Sequence, residues 1–254
     1  MIYGLYLSSA GVLANSYRQD VIANNIANAE TVGFKRDLAT FQQRPTAAQE
    51  LGLSPSQTNA LMENLGGGLL ARPTLVDTSP GEFESGNAQD VAIEGQGYFA
   101  VNADNVVRLT RDGRFFVDRS GNLAILSGNQ SRPILSDKGA PIALDKTLPW
   151  SVERGGAVNQ AGKIVARIGV FDVPDPAKFS KMGGNLLAYP DAQNLPPITD
   201  FALRPGFVER SNVDPATELT QLMDAQRQLE ANANMIRYQD ETLNLLVNNV
   251  GKIS

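Results

Sequence analysis

Residues 211–250 read SNVDPATELTQLMDAQRQLEANANMIRYQDETLNLLVNNV, and an apolar residue recurs there at every seventh position. The recurring residues are Leu222, Leu229, Ile236, Leu243 and Val250, which we call the heptad seam. Companion positions are partly apolar and partly interrupted: Leu219, Ala233 and Val247, against Gln226 and Asp240. A seven-residue period winds a narrow apolar stripe around a helix, and such a stripe faces a partner helix. The stretch predicts a long helix that associates with others.

The sequence also contains signals for the N-terminus of this helix. Asp214 can accept hydrogen bonds from the first free N–H groups, and Pro215 suits the first turn, where a missing N–H costs nothing. Glu218 follows at the positive end of the helix dipole. These three residues predict a helix that begins near Asp214.

A second amphipathic helix is predicted near the N-terminus, from residue 2 to about residue 29. Tyr6, Ala10, Leu13, Tyr17 and Val21 recur there at spacings of three and four. The asparagine-rich stretch 24–28 and Gly33 predict its end. Isolated helices are marginal in water, so we expect the two terminal helices to become ordered when neighbouring copies surround them.

The middle of the chain has the alternation of β structure. From residue 90 to about 173 short strands are separated by turn signals at the 8 to 12 residue rhythm of antiparallel sheets, and 164–170 is the longest strand candidate. We predict an α+β fold in which the terminal helices pair as a coiled-coil-like domain. The predicted parts are an N-terminal helix (1–35), a connector (36–75), a β-rich domain (76–210) and a C-terminal helix (211–254).

Composition excludes several classes of protein. The 254 residues contain no Cys and no His, which removes thiol catalysis, serine–histidine triads and zinc sites. A net charge of -5 gives no basic surface for nucleic acid. The chain also has no run of about 18 apolar residues and no secretory signal at its start, so we expect neither membrane insertion nor ordinary secretion.

Catalysis by carboxylate side chains is not excluded by the composition. Asp90, Glu94, Asp112 and Asp118 lie close in sequence, and glycoside hydrolysis needs only two carboxylates. However, Asp112 and Asp118 flank turns, where Asp occurs for backbone reasons. The structural role is the favoured interpretation. The pair Gly95 and Gly97 resembles a phosphate loop but lacks its third glycine, and residues 156–163 end in Gly-Lys without the Ser or Thr that follows in such loops, so a hairpin tip is favoured there.

Three stretches of the chain together resemble the axial proteins of the bacterial flagellum, in the rod and hook group. The N-terminal stretch is NNIAN (24–28) followed by GFKR (33–36). The central stretch is DVAIEGQGYF (90–99), continued by TRDG (110–113) and DRSGNL (118–123). The C-terminal stretch is SNV (211–213) with AQR (225–227) and EAN (230–232). All three occur in the family's order, and the chain is too short for the large outer domain of a hook protein, so it is most similar to a rod subunit.

The resemblance implies a structural subunit of the basal-body rod that assembles into a helical tube and carries torque from motor to hook. It implies no enzyme activity, no cofactor and no metal. Its expected partners are copies of itself, other rod and hook proteins, basal-body rings and the flagellar export apparatus, without a cleaved signal, in the periplasmic part of the basal body. The alternative from another class is a β-rich adhesion module that its terminal helices oligomerise.

The predicted assembly interface combines both terminal helices. Buried asparagines on a helix seam can fix register, whereas the ordinary interpretation of an asparagine cluster is turn formation. The predicted interface residues are Tyr6, Leu13, Tyr17, Asn24, Asn25, Asn28, Leu222, Gln226, Leu229, Ala233, Ile236, Leu243 and Val250.

Overall fold

The computed structural model describes residues 2–45, 66 and 68–250, with the side chains of residues 2, 249 and 250 outside the description. The chain divides into two compact units. The helical unit comprises Met1–Ile26, Asp37–Thr74 and Asp214–Ser254, and the β unit comprises Ala27–Arg36 and Leu75–Val213. The predicted α+β class is confirmed, because a helix lies at each end of a β-rich middle.

The two long helices have the predicted ends to within a few residues. Helix α1 spans Ile2–Ala27 and helix α2 spans Pro215–Val250. The Asp214 carboxylate accepts hydrogen bonds from the N–H groups of Ala216 at 3.2 Å and Thr217 at 3.3 Å, as an N-cap does. Neither helix, over its described residues, is long and apolar enough to cross a membrane.

The predicted companion positions of the heptad seam differ in burial within the chain, and Ala233 is half-buried. Leu219 and Val247 are 50% and 70% exposed, and Gln226 and Asp240 are exposed as well. The residues on the other flank of the seam are buried or half-buried instead: Glu218, Ala225, Asn232 and Gln239. Both flanks lie three or four residues from the seam, so spacing alone does not distinguish them.

The helical unit also contains two strands in the segment that the sequence predicts as a connector. Strand β1 spans Asp37–Gln43 and strand β2 spans Leu69–Val76, and they form a two-stranded sheet. The remainder of the predicted connector, residues 46–65 and 67, lies outside the described residues. Strand β2 has 8 residues, so the expectation that 164–170 forms the longest strand is wrong.

The predicted strand at 164–170 divides because the chain changes partners there. Its first part pairs with residues 157–160, whereas Val170 pairs with Phe99. Between them Gly169 donates its N–H to the carbonyl of Leu135 at 3.1 Å. A Cβ at Gly169 would lie 2.7 Å from the oxygen of Ser136, so the backbone passes too closely for any other residue.

The β unit contains fifteen short strands among its described residues. They are β3 Phe83–Ser85, β4 Val91–Glu94, β5 Tyr98–Ala103, β6 Val106–Thr110, β7 Phe116–Val117, β8 Leu123–Ser127, β9 Gln130–Pro133, β10 Trp150–Val152, β11 Ala157–Gln160, β12 Lys163–Arg167, β13 Val170–Phe171, β14 Ser180–Lys181, β15 Leu187–Ala188, β16 Ala202–Pro205 and β17 Phe207–Glu209. The sheets have the orders β13-β5-β6-β15-β14, β7-β8-β9, β10-β11-β12, β16-β4 and β17-β3. The registered pairs are antiparallel, as predicted.

Strand β5 is the centre of this unit because it is buried on both faces. Phe99 and Val101 pack into one apolar cluster, while Tyr98 and Ala100 pack into a second cluster on the opposite face. Successive side chains of a strand point to opposite faces, so one strand serves both cores. Phe99 meets Phe115 edge to face, with ring centroids 5.0 Å apart.

The tip predicted between residues 156 and 163 is a hairpin turn, as expected. Strands β11 and β12 pair on either side of Ala161 and Gly162, whose φ angles are 50° and 78°. Two consecutive residues with positive φ match the twist of the flanking strands. This geometry agrees with a hairpin rather than a phosphate-binding loop.

Gly113 and Gly155 give a matched test of this packing. A Cβ at Gly113 would lie 1.7 Å from the carbonyl oxygen of Val91, whereas a Cβ at Gly155 would meet no atom within 4 Å. We expect Gly113→Ala to destabilise the β unit by several kcal/mol, as backbone strain and overpacking do. Gly155→Ala should change the free energy of unfolding by less than about 1 kcal/mol. Urea unfolding followed by Trp150 fluorescence measures both, and equal stability of the two variants would contradict the packing described.

Candidate assembly surface

The heptad seam of α2 is partly covered within the chain. Leu222, Leu229, Ile236 and Leu243 are half-buried, and Ala233 beside them is half-buried too. The side chain of Val250 lies outside the described residues. Gln226 is exposed, with its amide 3.4 Å from the Glu230 carboxylate one turn later.

The predicted residues of α1 divide between contact and exposure. Leu13 is 71% exposed. Tyr17 packs edge to face on Phe41 with centroids 6.1 Å apart, and its hydroxyl donates to the carbonyl of Arg72 at 2.9 Å. Tyr6 is 42% exposed and lies beneath the guanidinium of Arg44. Tyr17 thus fastens α1 to the β1–β2 ribbon, while Leu13 stays open.

The three asparagines have three different environments. Asn24 is exposed, and Asn28 is half-buried and accepts a hydrogen bond from the Thr31 hydroxyl at 3.3 Å. Asn25 is buried: its amide both donates to and accepts from the main chain of Asp37, each at 2.9 Å. It also donates to the Glu218 carboxylate of α2 at 3.2 Å. Asn25 therefore joins α1, β1 and α2 within the helical unit.

Both helices carry large apolar side chains in contact with solvent. On α1 they are Tyr6, Leu7 and Leu13, and on α2 they are Leu219, Met223, Met235, Tyr238, Leu245, Leu246 and Val247. Scattered apolar residues are ordinary on a surface, but many on two helices mark an interaction surface. This exposure is the property that an assembling helix has.

The β unit contains a buried group of charges that sequence analysis did not predict. The Glu209 carboxylate is wholly buried and lies 2.6 Å from Lys35 Nζ and 2.8 Å from Arg111 Nη1. Gly81 donates its backbone N–H to the same carboxylate at 3.0 Å. We call Lys35, Arg111 and Glu209 the Glu209 cluster.

The two cations of the Glu209 cluster are held by further acceptors. Lys35 Nζ donates to the carbonyl of Ser79 at 2.7 Å, and Arg111 Nη2 donates to that of Gly95 at 2.8 Å. The Arg111 guanidinium also lies 5.1 Å from the centre of the Tyr98 ring. Charges taken out of water are tolerated better when their other hydrogen-bonding groups are satisfied. These contacts meet that need in part, because the buried Nε of Arg111 has no hydrogen-bond partner among the described residues.

Burial and charge act in opposite directions on these pKa values. Burial raises the pKa of Glu209, but Arg111 and Lys35 outweigh it and hold that pKa below its ordinary range. Burial lowers the pKa of Lys35, and the nearby Glu209 only partly offsets this. Burial also raises the pKa of Tyr98 to about 12. The Glu209 carboxylate is therefore kept in its charged form by the two neighbouring cations rather than by water.

The Asn212 side chain forms hydrogen bonds with main-chain groups of several segments next to this cluster. Its side-chain oxygen accepts from the N–H of Arg36 at 2.7 Å, and its amide donates to the carbonyls of Asp77 at 3.0 Å and Ser79 at 3.1 Å. Asp77 in turn donates its N–H to the carbonyl of Arg36 at 2.8 Å. Segments from the start, middle and end of the chain are thus bound together within the β unit.

The carboxylates considered for hydrolysis have structural partners. Asp112 is buried and makes a two-point ion pair with Arg114, at 2.9 Å and 2.6 Å, beside a cleft of about 550 Å³. Asp90 accepts from the N–H of Asn87 at 2.7 Å, and Asp118 accepts from that of Ser120 at 2.8 Å. Exposed Glu94 pairs with Arg204 at 3.2 Å. Each group stabilises a turn or an ion pair.

Sequence analysis quoted Lys35 and Arg111 in its motifs but assigned them no role, and it did not consider Glu209. The available signal was local: Glu209 directly follows the apolar residues Phe207 and Val208 at the end of a strand. A charge next to apolar strand residues predicts a buried partner of opposite sign, but not which one.

Lys35→Met tests the Glu209 cluster. It keeps the length of the side chain and removes one charge, leaving a buried carboxylate with a single cation, so we expect a loss of about 3–5 kcal/mol in the free energy of unfolding. The control is Lys178→Met, because Lys178 pairs with Asp175 at 3.3 Å and their side chains are 59% and 44% exposed. Exposed pairs contribute about 0–1 kcal/mol. Urea unfolding at neutral pH measures both losses, and similar values would contradict a special role for the cluster.

The same cluster gives a pH dependence. Because the folded pKa of Glu209 lies below its unfolded value, its contribution to stability is complete above the unfolded pKa, about 4.3 for glutamate. It is lost as the pH falls through the folded pKa. We expect wild-type stability to decline below about pH 4, and Glu209→Gln to flatten that decline. An unchanged acid limb in this variant, measured by urea unfolding, would contradict the expectation.

Three parts of the chain match known protein families. Residues 5–35 match "Flagella basal body rod protein", 92–166 match "Flagellar hook protein FlgE/F/G D1 domain", and 204–249 match "Flagellar basal body rod FlgEFG protein C-terminal". Lys35, Arg111 and Glu209 each come from a different one of these regions. The Glu209 cluster therefore joins all three within the β unit.

Full-length relatives agree with these matches. The chain is 34% identical to the flagellar basal-body rod protein FlgF of Caulobacter vibrioides, over 98% of both chains. It is 31% identical to FlgF of Mesorhizobium japonicum, over 92% of this chain and 91% of the relative. It is also 31% identical to FlgG of Bacillus subtilis, over 98% and 99% of the two chains.

These relatives are structural proteins rather than enzymes, which confirms the prediction that the chain is not an enzyme, and they do not favour an adhesion module. The chain belongs to the family of flagellar basal-body rod proteins, and it is a structural rod subunit of the flagellar basal body.

Proposed function

We propose that this rod subunit polymerises with copies of itself and with other rod and hook proteins into a helical tube that carries torque from the motor to the hook. Each subunit offers one surface to a different surface of its neighbour, which generates an open helix rather than a closed ring. The terminal helices line the inner wall and the β unit forms an outer layer. The main observation that supports this proposal is the apolar surface that both helices expose to solvent.

The size of this exposed surface supports assembly. Leu13 is 71% exposed, Tyr238 is 65% exposed and Leu245 is 58% exposed. Full burial of such a side chain is worth about 1.5–3 kcal/mol. A few of these residues per contact are sufficient to drive association once the helices lie side by side with those of neighbours.

Within each subunit, α1 and α2 pair as a coiled-coil-like domain. Support comes from contacts at both ends of α1: Asn25 bonds to Glu218, and Gly4 lies against the Gln239 amide. The half-buried heptad seam adds apolar contacts that a charge would disrupt. Of the interface residues predicted from the sequence, Asn25 acts within the subunit. The interface with neighbours draws on the others: Tyr6, Leu13, Tyr17, Asn24, Asn28, Leu222, Gln226, Leu229, Ala233, Ile236, Leu243 and Val250.

The proposal includes the route and the surroundings of the subunit. It leaves the cell through the flagellar export apparatus without cleavage of a signal, and it functions in the periplasmic part of the rod, where the β unit contacts basal-body rings. Family membership supports this part of the proposal.

Leu229→Asp and Ile236→Asp test assembly. Each places a charge in the half-buried heptad seam, which costs several kcal/mol when the seam is packed. We expect no incorporation into basal bodies and no swimming in soft agar, while Trp150 fluorescence shows a folded β unit. Gln228→Asp adds the same charge at an exposed position of α2 and should permit swimming. Motile cells carrying either seam variant would contradict the proposal.

A further inference from the structure

The contacts between α1 and α2 follow a regular antiparallel register. Gly4 lies against Gln239, and Gly11 lies against Asn232: a Cβ at these glycines would come within 2.7 Å and 2.8 Å of the respective amide nitrogens. A step of seven residues towards the C-terminus of α1 thus corresponds to a step of seven residues towards the N-terminus of α2, as in an antiparallel pair. Fourteen residues further, Asn25 meets Glu218 with a hydrogen bond of 3.2 Å, in the same register.

These three contacts involve polar side chains, beside the apolar residues that the helices also bury. Asn25 and Glu218 are each 1% exposed, and the Gln239 carbonyl oxygen is buried with no hydrogen-bond partner among the described residues. Buried polar groups cost stability, and their best-attested use between helices is to specify register. Leucines at these places would bind more strongly but would also tolerate a shift of one heptad.

We propose that these three contacts form a register latch, in which Gly4 and Gly11 admit the amides of Gln239 and Asn232 while Asn25 pairs with Glu218. A shift by seven residues would lose the Asn25–Glu218 bond and one of the two glycine–amide contacts, because only one of the two glycines would then face an amide. The latch gives every copy the same helix alignment. This last consequence rests on the proposed function, because only an assembling subunit needs its outer residues at fixed heights.

The two glycine positions differ in how strictly they require glycine. Gln239 presents the far end of a long flexible side chain, whereas the shorter Asn232 also brings its Cγ and Oδ1 within 3.0 Å of a Cβ at Gly11. The Asn232 amide therefore has less freedom to withdraw. Gly11 is the position where a larger residue should force the register to change.

The test measures register in the purified full-length chain. The chain has no cysteine, so Ala23→Cys and Thr220→Cys, at exposed positions of α1 and α2, take spin labels selectively. Electron paramagnetic resonance then gives the distance between the labels. A slip of one heptad moves one helix by about 10 Å along the other, because each residue rises by about 1.5 Å.

We expect one narrow distance in the parent and a shifted or broadened distribution in Gly11→Leu. Asn232→Ala added to Gly11→Leu should restore the parent distance, because it removes the amide that the leucine displaces. The control is Asp20→Leu, which adds a leucine at an exposed position of α1 and should change nothing. Trp150 fluorescence reports whether the β unit is folded in each variant.

Three results would overturn the latch: a broad distance distribution in the parent, an unchanged distance in Gly11→Leu, or a shift that Asn232→Ala fails to reverse. Swimming of the same variants is measured separately. Cells that swim with an unlatched subunit would disprove only the need for the latch in assembly, whereas a latched subunit that never enters the basal body would disprove the proposed function alone.

Discussion

The structure depends on neutralising one carboxylate. Glu209 is wholly removed from water, and such a group costs several kcal/mol unless charges of opposite sign replace the solvent. Lys35 and Arg111 do so, and they come from the N-terminal and central parts of the sequence. Because the ion pair closes only when all three segments are in place, it makes the segment 27–36 a part of the β unit, although that segment directly follows α1.

This arrangement also determines how the two units are connected. The chain passes from one unit to the other four times, after residues 26, 36, 74 and 213. At the passage after residue 36, Asn212 holds the N–H of Arg36 within the β unit, and Asn25 holds the main chain of Asp37 within the helical unit. Each unit therefore fixes its own side of the passage with an asparagine amide.

The features that the sequence predicts are those whose determining interaction is local. The Asp214 cap, the long helix α2 and the turn at Gly162 depend on neighbours a few residues away. Features that distant contacts decide could not be predicted. The flank of the heptad seam depends on the glycines of α1, the division of 164–170 depends on contacts at Gly169, and the partners of Glu209 lie 174 and 98 residues away. Such choices are made by tertiary packing, and periodicity does not record them.

The helices divide their apolar residues between the inside and the surface. Ala14, Val21, Ile22 and Ala225 are buried, and beside them glycines, amides and a carboxylate meet between the helices. Several leucine, methionine and tyrosine side chains remain exposed. A chain that had to be stable alone would bury these as well, because burial of apolar residues is the main favourable term in folding. In the proposed latch and the proposed assembly, the polar contacts align the helices and the exposed apolar residues contact a neighbouring subunit. Different residues would then provide specificity within a subunit and adhesion between subunits, so that a polymer could form without loss of a unique subunit fold.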